Sequence, residues 1–410
     1  MATKYVNVDR ETPMLLPPDL REWVAGNELA LFILEAVEST GLETARVNVR
    51  GTGDAQYPPT LMLALLIYSY ATGTFSSRAM ERSSYESVAV RYLCANHHPD
   101  HDTIAKFRRE NAPLLKACFV RVLELAREVG LLKLGTVSVD GTKIAARAAK
   151  SRNLRREQLE AQLRQLQGEV DTLLARAEEA DGRTPDEGTT LPKELASRQR
   201  RMEKLRAAQR VLEERQRQRD EPPNPQEPVH PQDPDSTITP TAQGPFIQGY
   251  NAQAAVSAEG TTLIVAAHVV ADTNDRRQLA PTVEAIPQEL GRPALVLADS
   301  GYDNQGQIEQ LEQRSIQVYC PPQKVGAKPP RDLDRRRLWQ QRHARREELR
   351  QPEAHKHYRR RAASSEPCFH VIKRLLGFGQ FSLRGLKGVN LEWLLVAVAY
   401  NCRKISAAFA

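Results

Sequence analysis

The residues best suited to chemistry in this sequence are two aspartates that each come directly after an apolar segment. Asp299 follows the run 294–298 and precedes a Ser-Gly turn, while Asp140 follows a segment in which Val137 and Val139 alternate with polar residues. An apolar run such as 294–298 predicts a strand buried on both faces, and open α/β sheets bind ligands at the carboxyl ends of their strands. Considered alone, an aspartate before a turn is more often a turn-former than a catalytic residue.

A glutamate far along the chain offers a third carboxylate. Glu366 follows a strongly basic stretch, and Ser364, Ser365 and Pro367 predict that a helix begins beside it. Lys373 lies seven residues later, which is two helical turns and therefore the same helical face. A carboxylate with an ammonium group on its own face suits a site that also grips a phosphodiester.

Glu392 is the competing third acid. It lies beside Trp393, where the pattern predicts an exposed position on a core helix. Carboxylates only a few ångströms apart repel each other unless a cation lies between them. Mg²⁺ suits such a site because it takes oxygen ligands from a few carboxylates and from substrate phosphate.

The order of the predicted elements would bring the two aspartates together. With residues 151–245 set aside, the sequence predicts three antiparallel strands, a helix, a parallel strand and further alternation, which is the ribonuclease-H-like order. In that topology the first and fourth strands are parallel neighbours, so their carboxylates converge. We therefore predict an α/β fold, a ribonuclease-H-like mixed sheet flanked by helices, with an N-terminal all-α domain and an inserted helical hairpin.

Residues 1–134 are predicted to form a helical, DNA-binding N-terminal domain. Arginine-bearing helical segments with short turns between them are compatible with helix-turn-helix DNA binding, and a plain helical bundle with a solvated basic face fits the pattern equally well. The run 97–101 holds three histidines that could be metal ligands. It is better explained as a loop before a helix that Asp102 caps.

Residues 151–222 form an insertion of a different kind. Apolar residues with alternating spacings of four and three predict an antiparallel helical hairpin; they are Leu159, Leu163, Leu166, Val170 and Leu173. Dimerisation, DNA contact and a self-packed surface protrusion all remain open as its role. Residues 223–245 are predicted to be a Pro-rich linker, which leaves residues 135–150 and 246–410 for the domain that contains the sheet.

The composition favours a polyanionic partner and argues against disulfide-rich and membrane proteins. The 410 residues include 58 Lys plus Arg against 51 Asp plus Glu, for a formal net charge of +7. The five cysteines are scattered without a zinc or disulfide spacing, so a reducing cytoplasm is expected. No apolar run approaches the roughly 20 residues of a membrane helix, so no membrane partner is expected.

At this point the sequence shows a resemblance to a known family. It resembles bacterial insertion-sequence transposases of the DDE class, whose catalytic domain is ribonuclease-H-like, and the resemblance covers nearly the whole chain. The matching stretches are Pro99-Asp-His-Asp-Thr-Ile-Ala-Lys-Phe-Arg, Val139-Asp-Gly-Thr-Lys-Ile, Gln248-Gly-Tyr-Asn-Ala-Gln, Ala298-Asp-Ser-Gly-Tyr, Glu366-Pro-Cys-Phe-His-Val-Ile-Lys and Phe381-Ser-Leu-Arg-Gly-Leu-Lys. The helical hairpin also fits a subgroup with an insertion after the first aspartate.

The resemblance implies that Asp140, Asp299 and Glu366 are the catalytic triad and the metal ligands. It implies two Mg²⁺ ions, for which Mn²⁺ can substitute. One ion would activate water, or later a DNA 3′-hydroxyl, and the other would stabilise the leaving oxygen. The expected reaction is DNA cleavage and strand transfer at the terminal inverted repeats of an insertion sequence.

The family's Tyr-Arg-Glu-Lys signature falls on Tyr358, Arg361, Glu366 and Lys373, with Arg361 one residue further from the glutamate than in the usual pattern. The candidate DNA-binding residues are Lys373, Arg374, Arg361, Tyr358, Lys143, Arg384 and Lys387. The expected partners are double-stranded DNA, from the terminal repeats and from the target, and a second copy of the chain in a homodimer on that DNA. The expected location is the bacterial cytoplasm, in association with the nucleoid.

Two other functions fit the same residues. One is a catalytically silent DNA-binding protein derived from a transposase. The other is a ribonuclease-H-like nuclease that cuts DNA without joining it.

Overall fold

The structure is a computed structural model, and it describes most of the chain. The described residues are 28–46, 56–180, 191–219, 224–241, 244–324 and 328–409, together with Glu22, Val24, Gly26, Pro222 and Gly326. Part of the predicted hairpin loop, residues 181–190, lies outside them.

The described residues ahead of the first strand contain six helices. They are α1 (Glu28–Glu38), α2 (Pro59–Ala71), α3 (Ser77–Glu86), α4 (Val88–Leu93), α5 (His101–Glu110) and α6 (Ala112–Glu128). Helix α2 is apolar on nearly every side and buried, and Pro59 stands in its first turn, where a missing N–H costs nothing. The predicted cap of α5 was wrong by two residues: Asp100, rather than Asp102, accepts the free N–H groups of its first turn.

Strands and helices alternate through the rest of the chain. The strands are β1 (Leu132–Ala145), β2 (Leu154–Arg155), β3 (Pro228–Val229), β4 (Thr237–Thr241), β5 (Gly244–Gly260), β6 (Ile264–Val270), β7 (Leu295–Leu297) and β8 (Gln317–Tyr319). The helices are α7 (Arg156–Ala180), α8 (Leu191–Arg219), α9 (Leu279–Glu284), α10 (Gln305–Glu312), α11 (Leu333–Glu348), α12 (Pro352–Tyr358), α13 (Arg360–His370) and α14 (Gly385–Phe409).

The main sheet is mixed and six-stranded, in the order β4-β5-β1-β7-β8 with β6 also paired to β5. Strand β1 runs antiparallel to β5 and parallel to β7, and β7 is parallel to β8. This confirms that the strands before Asp140 and Asp299 are parallel neighbours. Strand β1 is longer than predicted and continues to Ala145, because its pairing with β5 goes on after its pairing with β7 has ended.

The insertion forms the predicted hairpin. Helices α7 and α8 run antiparallel, since Glu169 meets Arg198 while Arg156 meets the carbonyl of Leu212. Its apolar side chains make a cluster separate from the main core; they are Leu159, Leu166, Leu205, Ala208, Leu212 and Val229. The ladder between β2 and β3 closes its base.

The stretch predicted to be a linker contains strands in its described residues, 224–241 and 244–245. It contains β3 and β4, and β4 forms an edge of the main sheet. The carboxylate of Asp233 accepts hydrogen bonds from the Tyr250 hydroxyl at 2.6 Å and the Gly385 N–H at 2.8 Å. Because its polar groups find such buried partners, the Pro-rich composition does not leave this stretch unpaired.

The C-terminal helix α14 joins the sheet to the N-terminal helices. On one side Asn401 bonds both backbone groups of Ile264 in β6, and Trp393 Nε1 donates to the carbonyl of Gln253. A single hydrophobic cluster extends from Val24 to Ile405. No described helix is long and apolar enough to cross a membrane.

A buried polar network ties α14 to the helices at the other end of the chain. Glu392 is fully buried, so the predicted exposed position was wrong. Its carboxylate accepts hydrogen bonds from the Tyr70 hydroxyl at 2.7 Å and from the N–H groups of Ser382 and Leu383. These donors take the place of water around the Glu392 carboxylate. Arg108 in turn donates a hydrogen bond to the Tyr70 hydroxyl at 2.9 Å.

We expect the substitution Tyr70→Phe to lower the free energy of unfolding by about 1–3 kcal/mol, because it leaves two buried charged groups short of a partner. Denaturant unfolding monitored by circular dichroism measures the change. Tyr85→Phe is the matched control, since the Tyr85 side chain is 58% exposed, and it should change stability by less than about 0.5 kcal/mol. Equal effects of the two substitutions would contradict this account of the network.

Candidate active site

The register of the sheet brings the two strand aspartates to the same level. The last pair between β1 and β7 is Ser138 with Leu297. Asp140 and Asp299 each lie two residues beyond that pair, on neighbouring parallel strands. Asp299 also acts as a turn-former, because its Oδ1 accepts the Gly301 N–H at 2.8 Å.

Asp140 is held by several donors and is largely buried. Its side chain is 16% exposed, its Oδ2 accepts the Ser365 hydroxyl at 3.0 Å and its Oδ1 accepts the Gly141 N–H at 2.8 Å. Burial raises the pKa of Asp140 to about 6, against lowering by the Gly141 N–H and by Arg361. The negative charge of Asp299 also raises this pKa, so the two carboxylates feel each other.

Arg361 is the cation that lies between the acids. One guanidinium nitrogen is 3.4 Å from Asp140 Oδ2 and the other is 3.5 Å from Glu366 Oε1. Burial lowers the pKa of Arg361, but the charges of Asp140, Tyr358, Asp299 and Glu366 together raise it above its usual range. A single guanidinium group therefore pairs with two of the predicted triad members, Asp140 and Glu366.

Glu366 lies in the middle of a helix and not at its start. Helix α13 begins at Arg360, places Pro367 in its interior and continues into a π-helical turn over Val371–Leu375. The predicted cap at Ser364 or Ser365 was therefore wrong, because the buried Ser365 hydroxyl bonds Asp140 instead. The Glu366 side chain is 61% exposed, so solvent and substrate can reach it.

The predicted DNA-binding residues fall into two groups. The first group lies near the carboxylates and comprises Tyr358, Arg361, Lys143 and Lys373. The charge of Asp299 shifts the pKa of Tyr358, Arg361 and Lys143. Lys373 Nζ donates to the Lys143 carbonyl at 3.0 Å. Burial lowers the pKa of both lysines. The second group is exposed and no described contact joins it to the acids; it comprises Arg374, Arg384 and Lys387.

A fourth acid, Asp275, was missed in the sequence. Its Oδ1 accepts the side-chain amides of Asn251 at 2.7 Å and Gln253 at 2.8 Å, and it lies 3.4 Å from Lys143 Nζ. A Cβ atom at Gly141 would lie 2.4 Å from Gln253 Nε2 and 2.8 Å from Asp275 Oδ1, so a larger residue after Asp140 would displace these side chains. The available signal was in β5, where Asn251 and Gln253 lie two residues apart and therefore on the same face of the strand.

A buried ion cluster behind Asp299 was missed as well. Asp303 is fully buried and holds Arg342 and Arg345 of α11, each at 2.7 Å. It also accepts the Gln323 N–H at 3.1 Å. The basic helix α11 is thereby fixed against the turn that follows Asp299.

The donor set suits a hard divalent cation, although no metal cage is preformed. In the described part of the chain, no group of three or more His, Cys, Asp or Glu side chains is arranged to hold a metal ion. The three histidines of the run 97–101 are included in that statement. Carboxylate oxygens are the ligands that Mg²⁺ prefers, and Arg361 now holds a positive charge between Asp140 and Glu366.

We expect Asp140→Asn to stabilise the protein at neutral pH in the presence of a chelator. The pKa of Asp140 rises from 3.8 to about 6 on folding, and each pKa unit corresponds to about 1.4 kcal/mol. The charged side chain therefore costs up to about 3 kcal/mol above pH 6. This cost shrinks to a small fraction as the pH falls to 4, where the folded side chain is protonated and the unfolded one, with a pKa of 3.8, is about half protonated. Unfolding of the two proteins at pH 8 and pH 4 measures the difference, and a gap that does not shrink at low pH would contradict the assignment.

Comparison with protein families agrees with the order of elements along the chain. Residues 19–110 match the family described as a transposase domain, DUF772, and residues 229–402 match the transposase DDE domain. No curated protein and no solved structure matches the chain. The second match contains Asp299 and Glu366, and Asp140 lies between the two matches. With both transposase domains in one polypeptide, the chain belongs to the insertion-sequence DDE transposases.

Proposed function

We propose that this protein cleaves DNA at the terminal inverted repeats of an insertion sequence and transfers the cut strand to a target DNA. The observation that carries the proposal is the position of Arg361 between Asp140 and Glu366, beside the parallel strand that leads to Asp299. Asp140 and Asp299 lie level on neighbouring strands, and Arg361 joins Asp140 to Glu366. A transposase domain on either side of Asp140 supports the same reaction.

In this proposal Asp140, Asp299 and Glu366 would hold the metal, which is Mg²⁺ or in its place Mn²⁺. Bound there, a pair of ions would supply an activated attacking oxygen and charge stabilisation for the leaving oxygen. The fold we propose for this part of the chain is ribonuclease-H-like, because its sheet has the antiparallel and parallel pairings expected of that order.

The chain's own residues would place the DNA and balance the charge of the acids. Arg361 neutralises the acids when no other cation is present, and the exposed Glu366 can turn away from it without unfolding α13. The charge of Asp299 acts on Lys143, and Lys373 Nζ donates to the Lys143 carbonyl, so these two ammonium groups would contact a phosphodiester near the carboxylates. Tyr358 would support Arg361, whose side chain it bonds.

The proposal also includes the oligomeric state of the protein, its location in the cell and the roles of its domains. Two copies of the chain would bind the two ends of the element as a homodimer, and the reaction would take place on DNA of the bacterial nucleoid. Residues 1–134 would read the terminal repeats as a helical domain, and residues 135–150 and 246–410 would form the catalytic domain.

We expect Asp299→Asn and Glu366→Gln each to reduce cleavage of terminal-repeat DNA by on the order of a thousand-fold in the presence of Mg²⁺, as removal of one of several cooperating catalytic groups does. DNA affinity in a chelator should change little. Glu353→Gln on α12 is the matched control, because Glu353 is also exposed and touches none of the triad in the described contacts. Gel analysis of end-labelled DNA measures both cutting and joining.

The parent protein in the same assay separates the competing functions. Cleavage without joined products would favour a nuclease that does not transfer strands. DNA binding without any cleavage, in Mg²⁺ or Mn²⁺, would favour a silent DNA-binding derivative. Full activity of the Glu366→Gln protein would remove Glu366 from the triad.

A further inference from the structure

A pocket lined by three arginines lies outside the carboxylate site. Arg109 comes from α5, Arg147 follows β1 and Arg384 precedes α14, and together with Ser382, Leu383 and Gly388 they line a cavity of about 520 Å³. None of these described lining residues is acidic. Among the described ion pairs, none includes any of the three arginines.

We propose that this arginine pocket binds a backbone phosphate of DNA and holds the duplex across the junction between the N-terminal helices and the sheet. The inference rests on the proposed function, which makes DNA the substrate. It adds a binding site that is separate from the triad and is built from both parts of the chain.

The three arginines of the pocket form no ion pair with a described residue, although the carboxylates of Asp233 and Asp235 bond the N–H groups of Gly385 and Leu386. Arginine stays protonated at any physiological pH and offers five N–H donors. Arg147 uses one donor on the Ser382 carbonyl at 3.4 Å, and Arg384 Nε donates to the Arg147 carbonyl at 3.2 Å. These contacts orient the two side chains and leave their remaining donors for a ligand. Three like charges in one cavity repel each other, and an anion between them removes that cost.

The buried polar network of Glu392 fixes the walls of the pocket. The Glu392 carboxylate accepts the N–H groups of Ser382 and Leu383, which form the wall that precedes Arg384. Arg108 is buried and bonds the Tyr70 hydroxyl and the Phe75 carbonyl, so the next residue, Arg109, points outward from a fixed helix. The positions of Arg109 and Arg384 are therefore set by two ends of one hydrogen-bonded network.

The position of the pocket fits a polymer better than a free anion. All three arginines are exposed, so no closed, desolvated site encloses a small ligand. Arg147 lies seven residues beyond Asp140, and most of that path is β1. At about 3.3 Å per residue the separation is roughly 20 Å, less than one turn of duplex DNA, about 34 Å. A duplex whose phosphate occupies the pocket can therefore also reach the carboxylates.

Salt-dependent DNA binding tests the proposal. Fluorescence anisotropy of a labelled duplex is followed in a chelator, where no cleavage takes place, so the result does not depend on the proposed catalysis. We expect the triple substitution Arg109→Gln, Arg147→Gln and Arg384→Gln to weaken binding by about 10–100-fold. The slope of log K against log salt should fall by about 1 for each phosphate that the variant no longer neutralises. Arg292→Gln is the matched control, because Arg292 is exposed and lies before β7, at the end opposite Asp299.

Two duplexes identify the source of the phosphate. Equal weakening on a mixed-sequence duplex and on a terminal-repeat duplex would assign the pocket to any DNA, target included, whereas weakening confined to the terminal repeat would assign it to the element end. The triple substitution to lysine keeps the charges, so it should keep the salt slope and reduce the affinity only in part. A glutamine variant that is folded by circular dichroism and binds like Arg292→Gln, with an unchanged slope, would overturn the proposal.

Discussion

The parallel pairing of β1 with β7 is the constraint on which the candidate site depends. It spans only residues 136–138 and 295–297, yet it places two carboxylates side by side where the pairing ends. Two neighbouring negative charges repel each other, and burial of Asp140 makes its charged form less stable still. The rest of the site answers this problem: the Gly141 N–H and the Ser365 hydroxyl each bond an oxygen of Asp140, and Arg361 supplies the counter-charge.

The two carboxylates differ in how they are held. Asp299 is fixed by its own turn and, further along, by the buried Asp303 with its two arginines from α11. Asp140 is fixed by the backbone pairing of β1 with β5 and by the hydrogen bond from Ser365 of α13. One helix that packs on the sheet, α13, therefore carries both Glu366 and the side chains that bond Asp140.

Local sequence patterns predicted the strands that lead to Asp140 and Asp299 and the helices of the hairpin, because each of these elements depends on residues close together in the chain. The apolar run before Asp299 and the leucine spacing of α7 needed no distant partner to be interpreted. Glu392 was placed wrongly because its burial depends on Tyr70, more than three hundred residues away, and on the backbone at 382–383. The start of α13 was wrong because a local preference of proline gave way to the contact between Ser365 and Asp140.

The Pro-rich stretch before β5 shows that composition alone does not reveal which segments pair in the sheet. Its prolines favour an extended chain, which is what the sequence predicted, but only the partners of Asp233 show that the extension is part of the sheet. Asp275 and Asp303 could not be told apart from the other acids in the sequence either, because the donors that surround them come from other parts of the chain.

The ladder between β2 and β3 has a consequence for how this chain can vary. Leu154 pairs with Val229, so the polypeptide leaves the sheet region and re-enters it at adjacent points, while α7 and α8 pack on a core of their own. The distance between those two points is then set by the short β2–β3 ladder and not by the 74 residues between them. Helical turns could be added to or removed from the far end of the hairpin in matched pairs, and the geometry around Asp140 and Asp299 would stay the same.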